Sequence, residues 1–159
     1  MKYVLFVLMI LFAVACSNSQ GSADQHRHSD SVITSKTGWD IEPKLQKADS
    51  MQIIYYDDPE GDSLRYTRFF TYVNSTETSV IVNNLNTNPV RKSAPRQCRS
   101  AGKMYLYEKN NVIKTIYFSL NQNTCSYLYF IKDGVFYYFP LLESARQFLN
   151  ENAAMAVKP

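Results

Sequence analysis

Few side chains in this sequence are of types that carry chemistry. Residues 57–62 read Asp-Asp-Pro-Glu-Gly-Asp. Asp58, Glu60 and Asp62 alternate as the first ligands of a calcium loop do. Ser63 stands where such a loop needs glycine, and Phe69 replaces the closing bidentate glutamate. Pro-Glu-Gly is ordinary turn chemistry, so an acidic hairpin loop without metal is expected. The chain has 2 histidines, His26 and His28, in a polar stretch with no third ligand nearby. They make a poor metal pair and leave the rest of the chain without a Ser-His-Asp or Cys-His arrangement. No phosphate-binding glycine loop, HExxH or CxxC is present, and no motif calls for a cofactor. Asp57, Asp58, Glu60, Asp62, Glu77, Glu108 and Asp133 could serve a small hydrolase of unfamiliar type, but nothing sets two of them across a cleft.

Two compositional excesses point elsewhere. The chain holds 12 tyrosines, and residues 87–100 carry Arg91, Lys92, Arg96 and Arg99 with no acid among them. That segment, punctuated by Pro89 and Pro95, reads as a loop. Its plain reading is a solvated basic loop; the sharper one is contact with anionic lipid, polysaccharide or an acidic partner. The tyrosines Tyr105, Tyr107, Tyr117, Tyr127 and Tyr129 recur at alternate positions. They are either the half-covered face of a sheet or an aromatic platform for a ligand.

These residues must be positioned by a sheet between Lys103 and Phe139. Residues 104–108 and 112–118 flank Asn110-Asn111, a pair that tolerates positive φ and can close a two-residue hairpin. Residues 126–131 and 135–139 flank Asp133-Gly134, a stronger hairpin signal. Alternation puts Met104, Leu106, Ile116, Phe118, Leu128 and Phe130 on one face and the five tyrosines on the other. Cys98 and Cys125 precede the first and third strands, which begin at the same end of an antiparallel meander. A bond between them is geometrically cheap and contributes roughly 3–4 kcal/mol on the loop-entropy model. The alternative is two free buried thiols, and the compartment decides.

Upstream, residues 51–56 and 64–73 read as strands. Asn74-Ser75-Thr76-Glu77 resembles a helix start, with Asn74 capping, Glu77 reaching back, and Val80, Ile81, Asn84 and Leu85 on one face. Downstream, Pro140 opens a final helix with Leu141, Leu142, Ala145, Phe148 and Leu149 at helical spacing, followed by a frayed tail from Asn152. Trp39 marks the entry to the folded part and is expected to pack at its edge.

The N-terminus decides the compartment. After Lys2, residues 3–12 are continuously apolar but too short to span a bilayer comfortably. Ala13-Val14-Ala15-Cys16 follows. This segment resembles the signal peptide and lipobox of bacterial lipoproteins, with Ala13 where leucine is commonest. The resemblance covers residues 1–16 only. It implies cleavage before Cys16 and acylation of its thiol, which anchors the chain in a membrane. Ser17 after the lipid-bearing cysteine then fits sorting to the outer membrane, facing periplasm or cell surface. Ala13-Val14-Ala15 also fits an ordinary export site, which would leave Cys16 a free thiol. The cysteine count favours the lipoprotein, because with Cys16 lipidated the remaining two of 3 pair and none is left over.

The expected organisation is a signal peptide over residues 1–15, a lipidated N-terminus and flexible tether over 16–49, and one globular domain over 50–159. The domain is expected to be α+β, with an antiparallel sheet of about six strands in ββα-ββββα order, two helices and one disulfide. The formal net charge of +3 argues for no particular partner. The expected function is a non-catalytic envelope lipoprotein that binds a protein or glycan; export argues against nucleic acid. Tyr105, Tyr107, Tyr117, Tyr127, Tyr129, Arg91, Arg96 and Arg99 are the expected contact residues. The carboxylate hydrolase is the alternative.

Overall fold

The computed structural model describes residues 31–32, 36–59, 66–72, 74–121 and 125–158. The lipobox with Cys16, the two histidines, Glu60 and Asp62 lie outside the described residues. The architecture is α+β around one antiparallel sheet. Its strands are β1 (Ser31–Val32), β2 (Ser50–Tyr56), β3 (Tyr66–Tyr72), β4 (Val90–Lys92), β5 (Gly102–Glu108), β6 (Asn111–Asn121), β7 (Cys125–Lys132) and β8 (Val135–Pro140). They lie in the order β1-β4-β8-β7-β6-β5-β2-β3. The meander β5–β8 forms the centre, the β2–β3 hairpin extends one side, and β4 with the two-residue β1 extends the other.

Both tight turns follow from local chemistry. Asp133 and Gly134 take φ of 52° and 73°, the left-handed pair that suits the twist of a hairpin. The β5–β6 turn falls on Lys109-Asn110, with φ of 50° and 66°, rather than on Asn110-Asn111. A register shift between Leu106 and Tyr107 displaces the strand ends, so Glu108 pairs with Asn111. The Lys109 N–H donates to the Asp49 carboxylate at 2.7 Å, fixing the turn against the start of β2. That bond, aided by the Ser50 hydroxyl, holds Asp49 below the usual carboxylate range.

One sheet face is apolar and buried. Met104, Leu106, Ile116, Phe118, Leu128 and Phe130 are all fully buried, as alternation requires, together with Met51, Ile53 and Phe139. Helices α1 (Gly38–Ile41), α2 (Ser75–Asn84) and α3 (Glu143–Met155) and a 3-10 turn (Pro43–Lys47) contribute to the same core. Gly102 sits in this face without a side chain, and the Phe118 ring fills the space its Cβ would need. The fully buried Asn84 at the end of α2 donates to the Pro140 carbonyl at 2.9 Å and accepts from the Leu142 N–H at 2.8 Å. A single side chain thereby joins both helices and the end of β8.

Several expectations change. The folded part does not begin at Ser50. Leu45 of the 3-10 turn is fully buried, and the Trp39 indole N–H donates to the Val82 carbonyl at 3.0 Å. Lys114 and Lys132 both reach the Glu42 carboxylate, at 3.2 and 3.7 Å, and tie this segment to the sheet. Residues 31–32, expected in the tether, pair with β4. Residues 87–100 are not all loop, because Val90–Lys92 pairs with β8. Asn74 caps α2 by accepting from the Thr76 N–H at 2.6 Å, but Glu77 does not reach back, and one of its buried carboxylate oxygens has no hydrogen-bond partner. The buried face of α2 includes Ile81, Asn84 and Leu85 as expected, but adds Thr78 and Val82, while Val80 is only partly buried. Leu142 precedes α3 and is exposed. The tail is not frayed from Asn152: that residue is buried and accepts from the Tyr72 hydroxyl, while Val157 exchanges both backbone hydrogen bonds with Phe69.

Candidate functional site

The other sheet face is built from tyrosines by register. Tyr117 pairs with Lys103 on one side and with Tyr129 on the other. Tyr129 pairs with Tyr138, and Tyr138 with Val90. Residues in register on adjacent strands share a face, so these side chains form a row across the sheet. The Tyr117 and Tyr129 rings stack, with centroids 4.9 Å apart and planes 17° apart. Tyr129 and Tyr138 are also 4.9 Å apart, tilted by 32°.

The helices leave this face alone, and residues 93–101 cross it. The crossing is forced by topology. The chain leaves β4, which pairs with β8, and must next enter β5, which pairs with β6 and β2. It therefore passes over β8, β7 and β6. Cys125 lies on the tyrosine face, two residues before Tyr127, so a bond to it draws the loop to this side. Cys98 and Cys125 are bonded, with Cα atoms 6.0 Å apart, an ordinary disulfide span. The Tyr127 hydroxyl donates to the Cys98 carbonyl at 3.1 Å. The Arg96 backbone N–H donates to the Tyr138 hydroxyl at 2.9 Å, and Ser100 and Tyr129 share a hydroxyl–hydroxyl bond of 3.1 Å.

Between this loop and the sheet lies a cleft of about 420 Å³. Tyr56, Tyr117, Tyr129 and Tyr138 floor it, and the loop from Pro95 to Ser100 walls it. The Arg96 guanidinium carbon sits 5.1 Å from the Tyr127 ring centroid and 4.9 Å from that of Tyr138, a double cation–π contact. Its Nε is buried without a hydrogen-bond partner. Among the described residues no carboxylate pairs with Arg96. Arg99 adds a second cation to the lining, which contains no Asp or Glu among the described residues. Burial pushes the Tyr127 hydroxyl up to about 12 and raises those of Tyr56, Tyr129 and Tyr138. All four are neutral phenols at physiological pH. Tyr138, which accepts from Arg96, keeps its own proton to donate. Among the described residues the lining offers no imidazole, carboxylate or thiolate, so its donors do not suit a metal.

The expected contact residues divide. Tyr117, Tyr129, Arg96 and Arg99 line the cleft. Tyr127 is on the right face but only 3% exposed; it lies beneath the loop and supports it. Tyr105 shares the face with Lys103 over its ring, outside the cleft. Tyr107 lies further along β5 beyond the register shift, where its hydroxyl donates to Gln52 at 3.3 Å. Arg91 is exposed and alternates with Val90 and Lys92, which places it on the opposite face. Tyr56 and Tyr138 were missed. The alternation Gln52, Ile54, Tyr56 would have found the first, and carrying register across the Asp133-Gly134 turn would have found the second. Asp57 and Asp58, from the acidic loop, are exposed and do not line the cleft.

Comparison with protein-family models, with curated proteins and with solved structures gives no match.

Proposed function

We propose that this protein is a non-catalytic lipoprotein of the cell envelope, anchored through Cys16, whose domain binds its ligand in the cleft beneath residues 93–101. Ala13-Val14-Ala15-Cys16 supports the anchor. Ser17 supports the outer membrane as the destination. The observation that carries the binding reading is the cleft itself: a disulfide-pinned loop holds two arginines over a row of tyrosines. Such a site costs little conformational entropy to occupy, because its side chains are ordered beforehand. Tyr and Arg are also the residue types that concentrate binding energy. A carboxylate hydrolase gains no support at this site, where no carboxylate is among the described lining residues.

The test is a photo-crosslinking amino acid in place of Tyr117 in the full lipidated chain, within intact envelopes. The expected result is a discrete adduct that is lost when Arg96→Gln is added. The same group at Tyr107, away from the cleft, should give none. Identical adducts from both positions, or none from Tyr117, would reject the cleft as the ligand site.

A further inference from the structure

The cleft has features that select among ligands, and the inference drawn from them rests on the binding reading above. We infer that it takes an anionic saccharide: a sugar ring bearing a carboxylate or a phosphate. Four observations combine. The first is uncompensated charge. Arg96 has no carboxylate partner among the described residues, and its Nε is buried with no acceptor. A guanidinium presents planar, paired donors that match a carboxylate or phosphate. The second is preorganisation. Arg96 is held by its backbone N–H on Tyr138, by two aromatic rings, and by the disulfide two residues on. An anion that binds there does not have to order the side chain.

The third observation is the floor. Tyr117 and Tyr129 stack on each other, so the pair offers the cleft ring edges and phenol hydroxyls rather than two open faces. A sugar carries several hydroxyls that such a row of phenols can bond both as donor and as acceptor. Gln97, Ser100 and the Tyr138 hydroxyl surround this floor with donors and acceptors. At about 420 Å³ the cleft falls in the range of small-ligand sites. The fourth observation counts against a peptide that binds by strand addition. Such a peptide needs an open strand edge. Every strand of the tyrosine row is paired on both sides at this point, so the cleft has no such edge.

The experiment is a calorimetric titration of the full chain in detergent with glucuronate, glucose 6-phosphate, glucose and inorganic phosphate. At least one charged sugar is expected to bind at up to about 10 mM, and more weakly as salt rises. Glucose and inorganic phosphate should each bind at least about tenfold more weakly than that sugar, since either lacks half of the recognised chemistry. Preference between glucuronate and glucose 6-phosphate separates a carboxylated polysaccharide from a phosphorylated glycolipid headgroup as the source. Arg96→Gln should weaken the charged sugar about tenfold or more, while Arg91→Gln, outside the cleft, should not. Tyr117→Leu, which leaves both arginines in place, should weaken binding separately and guards against misfolding of the Arg96 variant. Glucose binding as tightly as the charged sugars overturns the anionic part. Inorganic phosphate binding as tightly as glucose 6-phosphate overturns the saccharide part. No binding of either charged sugar overturns the whole inference. An acidic peptide that binds in their place, or a Tyr117 adduct without a sugar response, does the same while leaving the cleft intact as a site.

Discussion

Breaking the Cys98–Cys125 bond tests how the cleft is held. The two residues are 27 apart in sequence. Closing a ring of that length in the unfolded chain removes entropy worth about 3.5 kcal/mol at 25 °C. The pair also belongs to a small cluster with Tyr127 and Tyr138, separate from the main core. Replacing both cysteines by alanine therefore removes no side chain from the core that carries most of the stability. The domain should still fold, with a loss of about 3.5 kcal/mol and a melting temperature lower by about 10–20 °C. Urea unfolding followed by circular dichroism measures the first, and calorimetry the second. Because the effect acts on the unfolded chain, the urea slope should rise, as a longer free chain exposes more surface. Reduction of the native protein should reproduce both changes. A loss below about 1 kcal/mol would refute the ring-entropy reasoning. So would an unchanged urea slope accompanied by disruption of the core, which would show the bond acting through native packing instead.

Four further outcomes are expected. Asn84→Ala removes both hydrogen bonds of a fully buried side chain, to the Leu142 N–H and the Pro140 carbonyl, and should cost about 1–3 kcal/mol in urea unfolding. Tyrosines whose native pKa values lie above the unfolded value of about 10 stabilise the fold fully below that pH and progressively less above it. Stability should therefore fall between about pH 10 and 12, and Tyr127→Phe should remove one proton from that dependence, read by absorbance titration at alkaline pH. Cys16→Ser should abolish palmitate labelling and partition into detergent phase, whereas a wild-type chain that takes up no label would end the lipoprotein reading. Calcium should not raise the melting temperature; a rise abolished by Asp58→Asn with Asp62→Asn would contradict this.

Much of the sheet was legible because alternation is strict. Six apolar residues from Met104 to Phe130 were placed on the buried face by counting in twos, and all are fully buried. The Asp133-Gly134 turn was legible because few residue pairs adopt two left-handed conformations in succession. What escaped depends on contacts distant in sequence. Leu45 is buried alone in a short turn among Lys44, Gln46 and Lys47, so no periodicity announces it. Val90–Lys92 is a strand only because β8 offers a free edge, and nothing within three residues encodes that. Asn152 looks like a frayed polar end until Tyr72 arrives from the other half of the chain.

The cleft was half legible, and the missing half was present in the same parity rule. Cys125 is odd-numbered, as are Tyr127 and Tyr129, so its sulfur must lie on the tyrosine face. A bond from Cys98 to that sulfur cannot pass through the sheet. The segment that carries Cys98 must therefore cross the tyrosines, bringing Arg96 and Arg99 with it. From the sequence, the tyrosines were expected to form either a half-covered face or an open aromatic platform. The disulfide contains the answer: a helix on that face would occupy the path the bond imposes on residues 93–101. The cover of the tyrosine face and the position of its arginines are thus one constraint, and Arg96 reaches Tyr127 and Tyr138 because Cys98 is two residues further on. Moving Cys125 one residue along β7 would turn its sulfur to the opposite, apolar face, take the loop away from the tyrosines, and dismantle the cleft without touching a residue that lines its floor.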